Sequence, residues 1–352
     1  MKIAIIGSGF FGSSLALILS KSHKIDLYEN KNEIMCGASK ANQFRFHSGY
    51  HYPRSQKTVK EINKYKKIFT NYFGLKIFNQ TQNYYSIAKK NSKVSVNQYI
   101  KFLKKNDLYF KKYRNSKFFS NKISSSFRVK EKILNYFNIK EIIKKKITKM
   151  NINLKLNRQL KKKNLKDYDK VIICTYSNNN KILKSFGINN LKKYKYELVE
   201  KIIISLPQKY KNKSFVVLDG NFVCVDPYLG TKYHLLSDVK CSKLEIINSK
   251  IPNFKHKNKK FLNKGIIKNK SLSNFENFKK NSSRYLPFIK NAKYIGSYYV
   301  VRMLKTNVEN TDERVNAINV INNKLITVLS GKWNTCVGLA QEIKKLLDLK
   351  RV

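Results

Sequence analysis

The chain opens with Lys2-Ile-Ala-Ile-Ile-Gly7-Ser-Gly9-Phe-Phe-Gly12, and these residues indicate its fold class. Residues 2–6 are a short, β-branched apolar run, which is typical of a buried parallel strand. After the glycines, residues 13–20 are predicted to form an apolar helix and residues 24–29 a second strand. Strand, glycine turn, helix and strand in this order predict a Rossmann-like βαβ unit.

The spacing Gly7-x-Gly9-x-x-Gly12, or GxGxxG, predicts a dinucleotide site. Gly7 permits the tight turn, Gly9 lets the backbone approach a pyrophosphate, and Gly12 permits close packing of helix on strand. The N-terminus of the helix that follows offers free N–H groups to phosphates, and Phe10 and Phe11 of the loop are predicted to be cofactor-binding residues as well. Glu29 ends the second strand, where its carboxylate accepts ribose hydroxyls. The motif itself does not separate FAD from NAD.

Composition narrows the class of protein. The 352 residues are 42% hydrophobic, which is enough for one large α/β unit or two domains, and no apolar run is long enough to span a membrane. The five cysteines form no C-x-x-C pair, and no metal-ligand spacing is present. The N-terminus reaches the glycine loop too early for a secretory signal. We therefore expect a cytoplasmic protein without a disulfide framework or a metal site.

The formal net charge is +52, and only nine of the 73 basic residues are arginine. Lysine, asparagine and isoleucine have AT-rich codons, so compositional drift of the genome explains the excess without selection. An anionic ligand or partner is the other explanation. The lysines are spread along the whole chain, so we expect no specific nucleic-acid partner, whereas an anionic small molecule is attracted in either case. The oligomeric state is left open.

The segment from Cys36 to Arg54 (CGASKANQFRFHSGYHYPR) follows the second strand. With the glycine loop and Glu29, it resembles the D-amino-acid oxidase/glycine oxidase-like superfamily of FAD-dependent oxidoreductases. Members carry a Ser-x-x-Asn-like segment and a Gly-x-His that pass the pyrophosphate and the flavin. On this resemblance, the cofactor-binding residues of the segment are Ser39, Asn42, Arg45 and His47, and the catalytic candidate is His51. A covalent link from His47 to the flavin is an alternative.

Two later segments are similar to the same superfamily. Residues 171–175 resemble a flavin-contacting strand ending at Thr175, although Tyr176 stands where the family usually has glycine. Residues 296–302 are similar to the strand that brings an arginine, here Arg302, toward the substrate's carboxylate. Residues 329–335 look like the loop and helix start that cap the flavin. The cofactor-binding residues implied there are Gly331, Lys332, Trp333, Asn334 and Thr335.

The resemblance implies an α/β protein, α+β overall, whose Rossmann-like FAD-binding domain is joined to a second, mostly antiparallel β-sheet substrate domain. The expected FAD domain is discontinuous, with residues 1–75, 140–195 and 290–352. Residues 76–139 and 196–289 are expected to form the substrate domain.

The implied function is an FAD-dependent oxidoreductase that transfers a hydride from a C–H next to an amine or hydroxyl of a small anionic substrate to flavin N5. Two alternatives remain open at this point. One is an FAD-dependent, mutase-like enzyme of nucleotide-sugar or polysaccharide metabolism, whose diphosphate substrate the positive charge would attract. The other is a non-enzymatic binder of anionic partners, whose affinity falls steeply with salt.

Overall fold

The computed structural model describes residues 1–113, 117–220, 223–308 and 310–349. The helices are α1 (Phe10–Leu19), α2 (Gln56–Phe73), α3 (Val96–Lys105), α4 (Tyr136–Lys149), α5 (Asn179–Ser185), α6 (His256–Lys259), α7 (Phe275–Ser282) and α8 (Cys336–Leu349). The strands are β1 (Lys2–Ile6), β2 (Lys24–Tyr28), β3 (Arg45–Phe46), β4 (Phe78–Asn79), β5 (Gln82–Ala88), β6 (Phe110–Lys112), β7 (Ile123–Val129), β8 (Lys132–Leu134), β9 (Asn153–Lys155), β10 (Lys170–Ile173), β11 (Tyr194–Ser205), β12 (Lys213–Leu218), β13 (Val223–Pro227), β14 (His234–Asp238), β15 (Lys243–Ser249), β16 (Lys293–Leu304), β17 (Ala317–Val320) and β18 (Leu325–Leu329).

The first sheet is the predicted Rossmann-like core. Its strand order is β17-β18-β10-β1-β2-β9, and every pair is parallel except β17 with β18. Residues 3–6 of β1 are buried, and helix α1 is buried along its whole length. Because parallel strands are covered on both faces, an unbroken apolar run suits β1 better than an alternating pattern.

The second sheet is mostly antiparallel, as predicted. Its order is β15-β11-β14-β13-β12-β5-β7-β6, with β16 paired antiparallel to β11 and one parallel pair between β5 and β12. Asp219-Gly220 between β-forming residues predicts a hairpin, and β12 and β13 form this antiparallel pair, since Phe215 pairs with Val225. Its turn residues 221 and 222 lie outside the described residues. The predicted fold class is thus confirmed.

Strand β16 differs from the sequence expectation in its sheet. The expected FAD domain included residues 290–352, yet β16 pairs along its length with β11, from Lys195 opposite Leu304 to Ser205 opposite Lys293. Residues 293–304 therefore extend the second sheet. The physical reason is that an apolar β pattern identifies a strand but not its partner. The division of the chain into two domains stays a prediction.

The remaining elements pack beside the first sheet. A small third sheet, β3-β8-β4, holds Arg45 and Phe46 in place. The apolar spacing from Val59 to Phe69 predicts a helix over residues 56–73, and α2 has these bounds. The helix begins where Ser55 Oγ accepts a hydrogen bond from the Thr58 N–H. In the described part of the chain, none of the helices has the length and apolar character needed to cross a bilayer.

Helices α2 and α8 meet at a glycine. A Cβ atom at Gly338 would lie 2.0 Å from Cδ1 of the buried Tyr65 ring. Since glycine is a poor helix former, its presence within α8 is explained by this close approach rather than by helix propensity.

We expect Gly338→Ala to lower the free energy of unfolding by about 1–3 kcal/mol. The added methyl group forces the Tyr65 ring to shift, and the cost of this overpacking outweighs the gain in helix propensity. Chemical denaturation measures the change. Gln341→Ala, at an exposed position of the same helix, is the control and should change little. A more stable Gly338→Ala protein would contradict the packing described here.

Candidate functional site

The glycine loop has no room for side chains. Gly7 has a φ of +96°, and a Cβ atom there would lie 2.8 Å from the carbonyl oxygen of Cys174. A Cβ atom at Gly12 would lie 1.7 Å from the carbonyl oxygen of Gly7. Glycine is therefore required at Gly7 by the packing of the loop against the end of β10, and at Gly12 by the packing of the helix against Gly7.

Ser39 and Glu29 lie beside the loop. Ser39 Oγ accepts a hydrogen bond of 3.1 Å from the Phe10 N–H, and a Cβ atom at Gly9 would lie 2.9 Å from the same oxygen. Glu29 accepts hydrogen bonds from the Ser8 N–H (3.0 Å), the Ser8 hydroxyl (2.7 Å) and the Lys31 N–H (3.0 Å). The carboxylate is thus held at the carboxyl end of β2.

A cavity of about 970 Å³ runs from this loop to the edge of the second sheet. The structure brings most of the sequence-predicted site residues to its wall. They are Gly7, Gly9, Phe10, Phe11, Glu29, Ser39, Asn42, Arg45, His47, His51, Thr175, Arg302, Gly331, Lys332 and Trp333. Their roles in binding a cofactor or in catalysis stay predictions.

Three predicted residues lie behind the wall instead of on it. Gly12 is packed against Gly7, as described above. Asn334 Nδ2 donates a hydrogen bond to the carbonyl oxygen of His47 (3.1 Å), and the Thr335 hydroxyl donates to that of Lys332 (2.6 Å). These two side chains hold segments that do line the cavity, and their own contact with the cofactor stays a prediction.

Tyr176 explains the departure from the family pattern. Its φ is +54°, in the left-handed region where glycine is favoured. The hydroxyl accepts a hydrogen bond from the Met303 N–H (3.0 Å) and donates to the Met303 carbonyl oxygen (2.9 Å). The side chain therefore ties the end of β10 to β16 in the second sheet.

The two histidines of the segment lie together, with ring centroids 5.9 Å apart. Burial lowers the pKa of His47 well below its usual value, and the charges of Lys332 and Arg45 lower it further. Burial likewise lowers the pKa of His51, with Arg45 and Lys332 as the next causes. Both rings are neutral at pH 7, so either can accept a proton.

Arg302 lies on the cavity wall, but it is already paired. Its Nε donates a 2.7 Å hydrogen bond to Glu197 Oε2, and one of its terminal nitrogens donates to the same oxygen. Lys243 lies 3.4 Å from the other carboxylate oxygen of Glu197. The predicted role of Arg302 in holding a substrate carboxylate thus competes with an ion pair between two strands.

Sequence reasoning missed several charged residues near the cavity. Lys201 lines the wall, and Asp226 and Glu131 are buried close behind it. The available signal for Lys201 was a lysine inside the apolar strand Leu198–Leu206. Asp226 and Glu131 had none, since their positions depend on the pairing of distant strands.

The residues around the cavity fit FAD. Both amide atoms of Gln43, Nδ1 of His47 and Nε1 of Trp333 are buried without a hydrogen-bond partner among the described residues, and all three side chains line the cavity. Buried polar atoms in native proteins normally have partners. A bound group with polar edges beside the open backbone at Gly9 would supply them.

Comparison with known proteins agrees with this geometry. Residues 2–105 match the DAO family model, described as FAD dependent oxidoreductase. The FAD-dependent monooxygenase kojA of Aspergillus flavus is 42% identical over 59 residues, which are 16% of this chain and 14% of that protein. The match thus spans about one-seventh of this relative's length.

Solved structures share the fold over nearly the whole chain. Glycine oxidase from Geobacillus kaustophilus is 11% identical with a TM-score of 0.72, and the match covers 98% of this chain and 94% of that one. The L-α-glycerophosphate oxidase from Mycoplasma pneumoniae, solved with FAD bound, is 14% identical with a TM-score of 0.72 over 99% and 94%. The predicted resemblance and FAD as the predicted cofactor are confirmed.

The pKa of Lys332 allows a test of the electrostatics of the cavity wall. Burial, followed by the charge of Arg314, lowers its pKa to about 7. In an unfolded chain a lysine has a pKa of about 10.4. Between these values the unfolded chain binds more protons than the folded one, so the free energy of unfolding rises with pH.

We therefore expect the stability gain between pH 7 and pH 9 to be smaller in Lys332→Met than in the wild-type protein. Chemical denaturation of the cofactor-free protein at a series of pH values measures it. Lys232→Met, at an exposed position, is the control and should keep the wild-type slope. An unchanged slope in Lys332→Met would contradict the burial of this ammonium group.

Proposed function

We propose that this chain, whose residues 2–105 belong to the DAO family of FAD dependent oxidoreductases, oxidises a C–H bond next to an amine or hydroxyl of a small anionic substrate. The observation that carries the proposal is the cavity wall opposite the glycine loop. Cations and neutral histidines are gathered there, at one end of a cavity that fits a dinucleotide. The residues concerned are Arg45, His47, His51, Lys201, Arg302 and Lys332.

FAD, when bound, supplies a two-electron acceptor at flavin N5, which no side chain offers. The chain's own groups bind and orient. The backbone at Gly7 and Gly9 would receive the pyrophosphate, Glu29 the ribose, and Lys332 with Trp333 the flavin end.

The chain also has to move one proton. When the hydride leaves the substrate carbon, the neighbouring amine or hydroxyl must lose its proton to yield an imine or a carbonyl. A ring nitrogen of His51 is the proposed acceptor, because burial keeps the imidazole neutral at pH 7. The cations on the wall hold the anionic group of the substrate, which fixes the C–H bond in one orientation.

We expect anaerobic addition of the correct substrate to bleach the flavin absorption band in a single turnover. A screen of amino acids and 2-hydroxy acids, with neutral amines and alcohols as matched controls, measures it. Bleaching by neutral compounds as readily as by acids would contradict an anionic substrate. Turnover of a nucleoside-diphosphate sugar with no net bleaching of the flavin band would show isomerase chemistry and overturn the proposal.

His51→Asn should slow the reduction of the flavin by roughly 100-fold, the lower end for loss of a general base, while the flavin stays bound. Rapid mixing with the substrate found in the screen measures the rate. His256→Asn, at an exposed position of α6, is the matched control and should reduce at the wild-type rate. A His51→Asn protein that reduces normally would exclude His51 as the base.

We also propose that the protein works in the reducing cytoplasm. The cysteines Cys36, Cys174, Cys224, Cys241 and Cys336 are free thiols. Burial raises the pKa of Cys174 and Cys336, which keeps these thiols protonated and unreactive.

A further inference from the structure

The resemblance predicts that Arg302 binds the substrate's anionic group, but in the structure this guanidinium is already paired with the carboxylate of Glu197. Two of its nitrogens donate to one oxygen of Glu197, as described above. Glu197 also keeps its negative charge, because Arg302 and Lys243 outweigh burial and lower its pKa. A substrate carboxylate at Arg302 would have to compete with this fixed, charge-assisted pair.

Arg45, in contrast to Arg302, keeps hydrogen-bond donors without a partner among the described residues. It is 4% exposed, it lies on β3, and it lines the cavity. One terminal nitrogen donates a weak hydrogen bond to Cys224 Sγ (3.4 Å), whereas Nε and the other terminal nitrogen have no hydrogen-bond partner among the described residues. A buried guanidinium with open donors is costly unless a ligand completes it.

The nearest carboxylate leaves Arg45 incompletely satisfied. Asp226 Oδ2 lies 3.8 Å from Arg45 Nε, which is beyond hydrogen-bond distance. The other oxygen of Asp226 accepts a 2.6 Å hydrogen bond from Ser214. Asp226 therefore balances the charge of Arg45 without accepting a hydrogen bond from its Nε.

Lys201 adds a second cation to the same wall. Its Nζ donates a 2.7 Å hydrogen bond to Ser237 Oγ, and both residues line the cavity. Among the described residues, no carboxylate lies within ion-pair distance of it. Burial, with Arg302 and Arg45 as neighbouring cations, lowers its pKa to about 8, so an anion here would stabilise the ammonium form.

The charges define the class of ligand. Asp226 and Glu131 are the carboxylates whose charges act on Arg45, and Lys201 and Lys332 are further cations on this part of the wall. The three cations therefore outnumber the two carboxylates by one. A monoanion matches this balance, whereas a phosphate dianion brings excess negative charge next to Asp226.

We propose that Arg45 and Lys201, rather than Arg302, receive the anionic group of the substrate, and that this group is a carboxylate. The inference rests on the proposed function for the identity of the ligand as a substrate. The receptor itself is defined by this chain's residues. It makes Arg45 a substrate-binding residue instead of the cofactor-binding residue that the sequence predicts.

The test uses benzoate as the probe, because it is a monocarboxylate with no oxidisable C–H next to a heteroatom. Benzoate is titrated into the FAD-loaded enzyme, and its dissociation constant is read from the change in the flavin spectrum. We expect Arg45→Lys and Lys201→Met each to weaken benzoate at least tenfold, and Arg302→Lys to weaken it less than threefold. Arg128→Lys, at an exposed position of β7, is the matched control.

The variant Asp226→Asn distinguishes an effect of Asp226 on substrate binding from a purely structural role. It removes the carboxylate that competes for Arg45, so we expect benzoate to bind several-fold more tightly, whereas a merely structural Asp226 would give weaker binding. Weaker binding in Asp226→Asn, a larger loss in Arg302→Lys than in Arg45→Lys, or tighter binding of inorganic phosphate than of benzoate would each overturn the receptor. If Arg45→Lys fails to fold, the benzoate affinities of Lys201→Met and Asp226→Asn still test the proposed receptor.

Failure of the proposed function gives a different result. An enzyme that takes up no FAD contradicts that function, and benzoate binding is then measured by calorimetry on the cofactor-free protein. Loss of the heat signal in Lys201→Met would support the receptor even so, and an unchanged signal would refute it.

Discussion

The contact between the glycine loop and the end of β10 is the constraint on which the rest of the structure depends. Gly12 packs so closely on Gly7 that a single methyl group at Gly12 would lie 1.7 Å from the Gly7 carbonyl oxygen. This approach sets helix α1 directly above β1 and opens its first turn toward the cavity. It also brings Cys174 and Thr175 to the same edge, where a dinucleotide pyrophosphate would lie.

The cavity lies between two sheets, one mostly parallel and the other mostly antiparallel. The first sheet is parallel except for the pair of β17 with β18, while the second presents Lys201 and Arg302 on its cavity side. The Tyr176 hydroxyl binds the Met303 backbone and so joins the end of β10 to the second sheet. Asn334 binds the carbonyl oxygen of His47, which joins the segment before α8 to the segment after β3. The cations that line the cavity across from the glycine loop are the basis on which we propose the oxidation of an anion.

The sequence predicts the local parts of this arrangement well. The glycine spacing, Glu29 and the bounds of α2 depend on residues close together in the chain, where turn geometry and periodicity apply. The sheet of β16 could not be predicted in this way, since its apolar pattern suits either sheet. The ion pair of Arg302 with Glu197 and the place of Asp226 behind Arg45 also arise only when distant strands pair. This explains why the resemblance selected an arginine that the fold has already engaged.

The visible absorption spectrum of the purified protein shows whether the cavity at the glycine loop binds FAD. We expect flavin bands with one FAD per chain, and heat denaturation should release the chromophore into the supernatant. Flavin that stays with the precipitate would indicate a covalent link at His47. A colourless protein that takes up no added FAD would show that the cavity is not an FAD site.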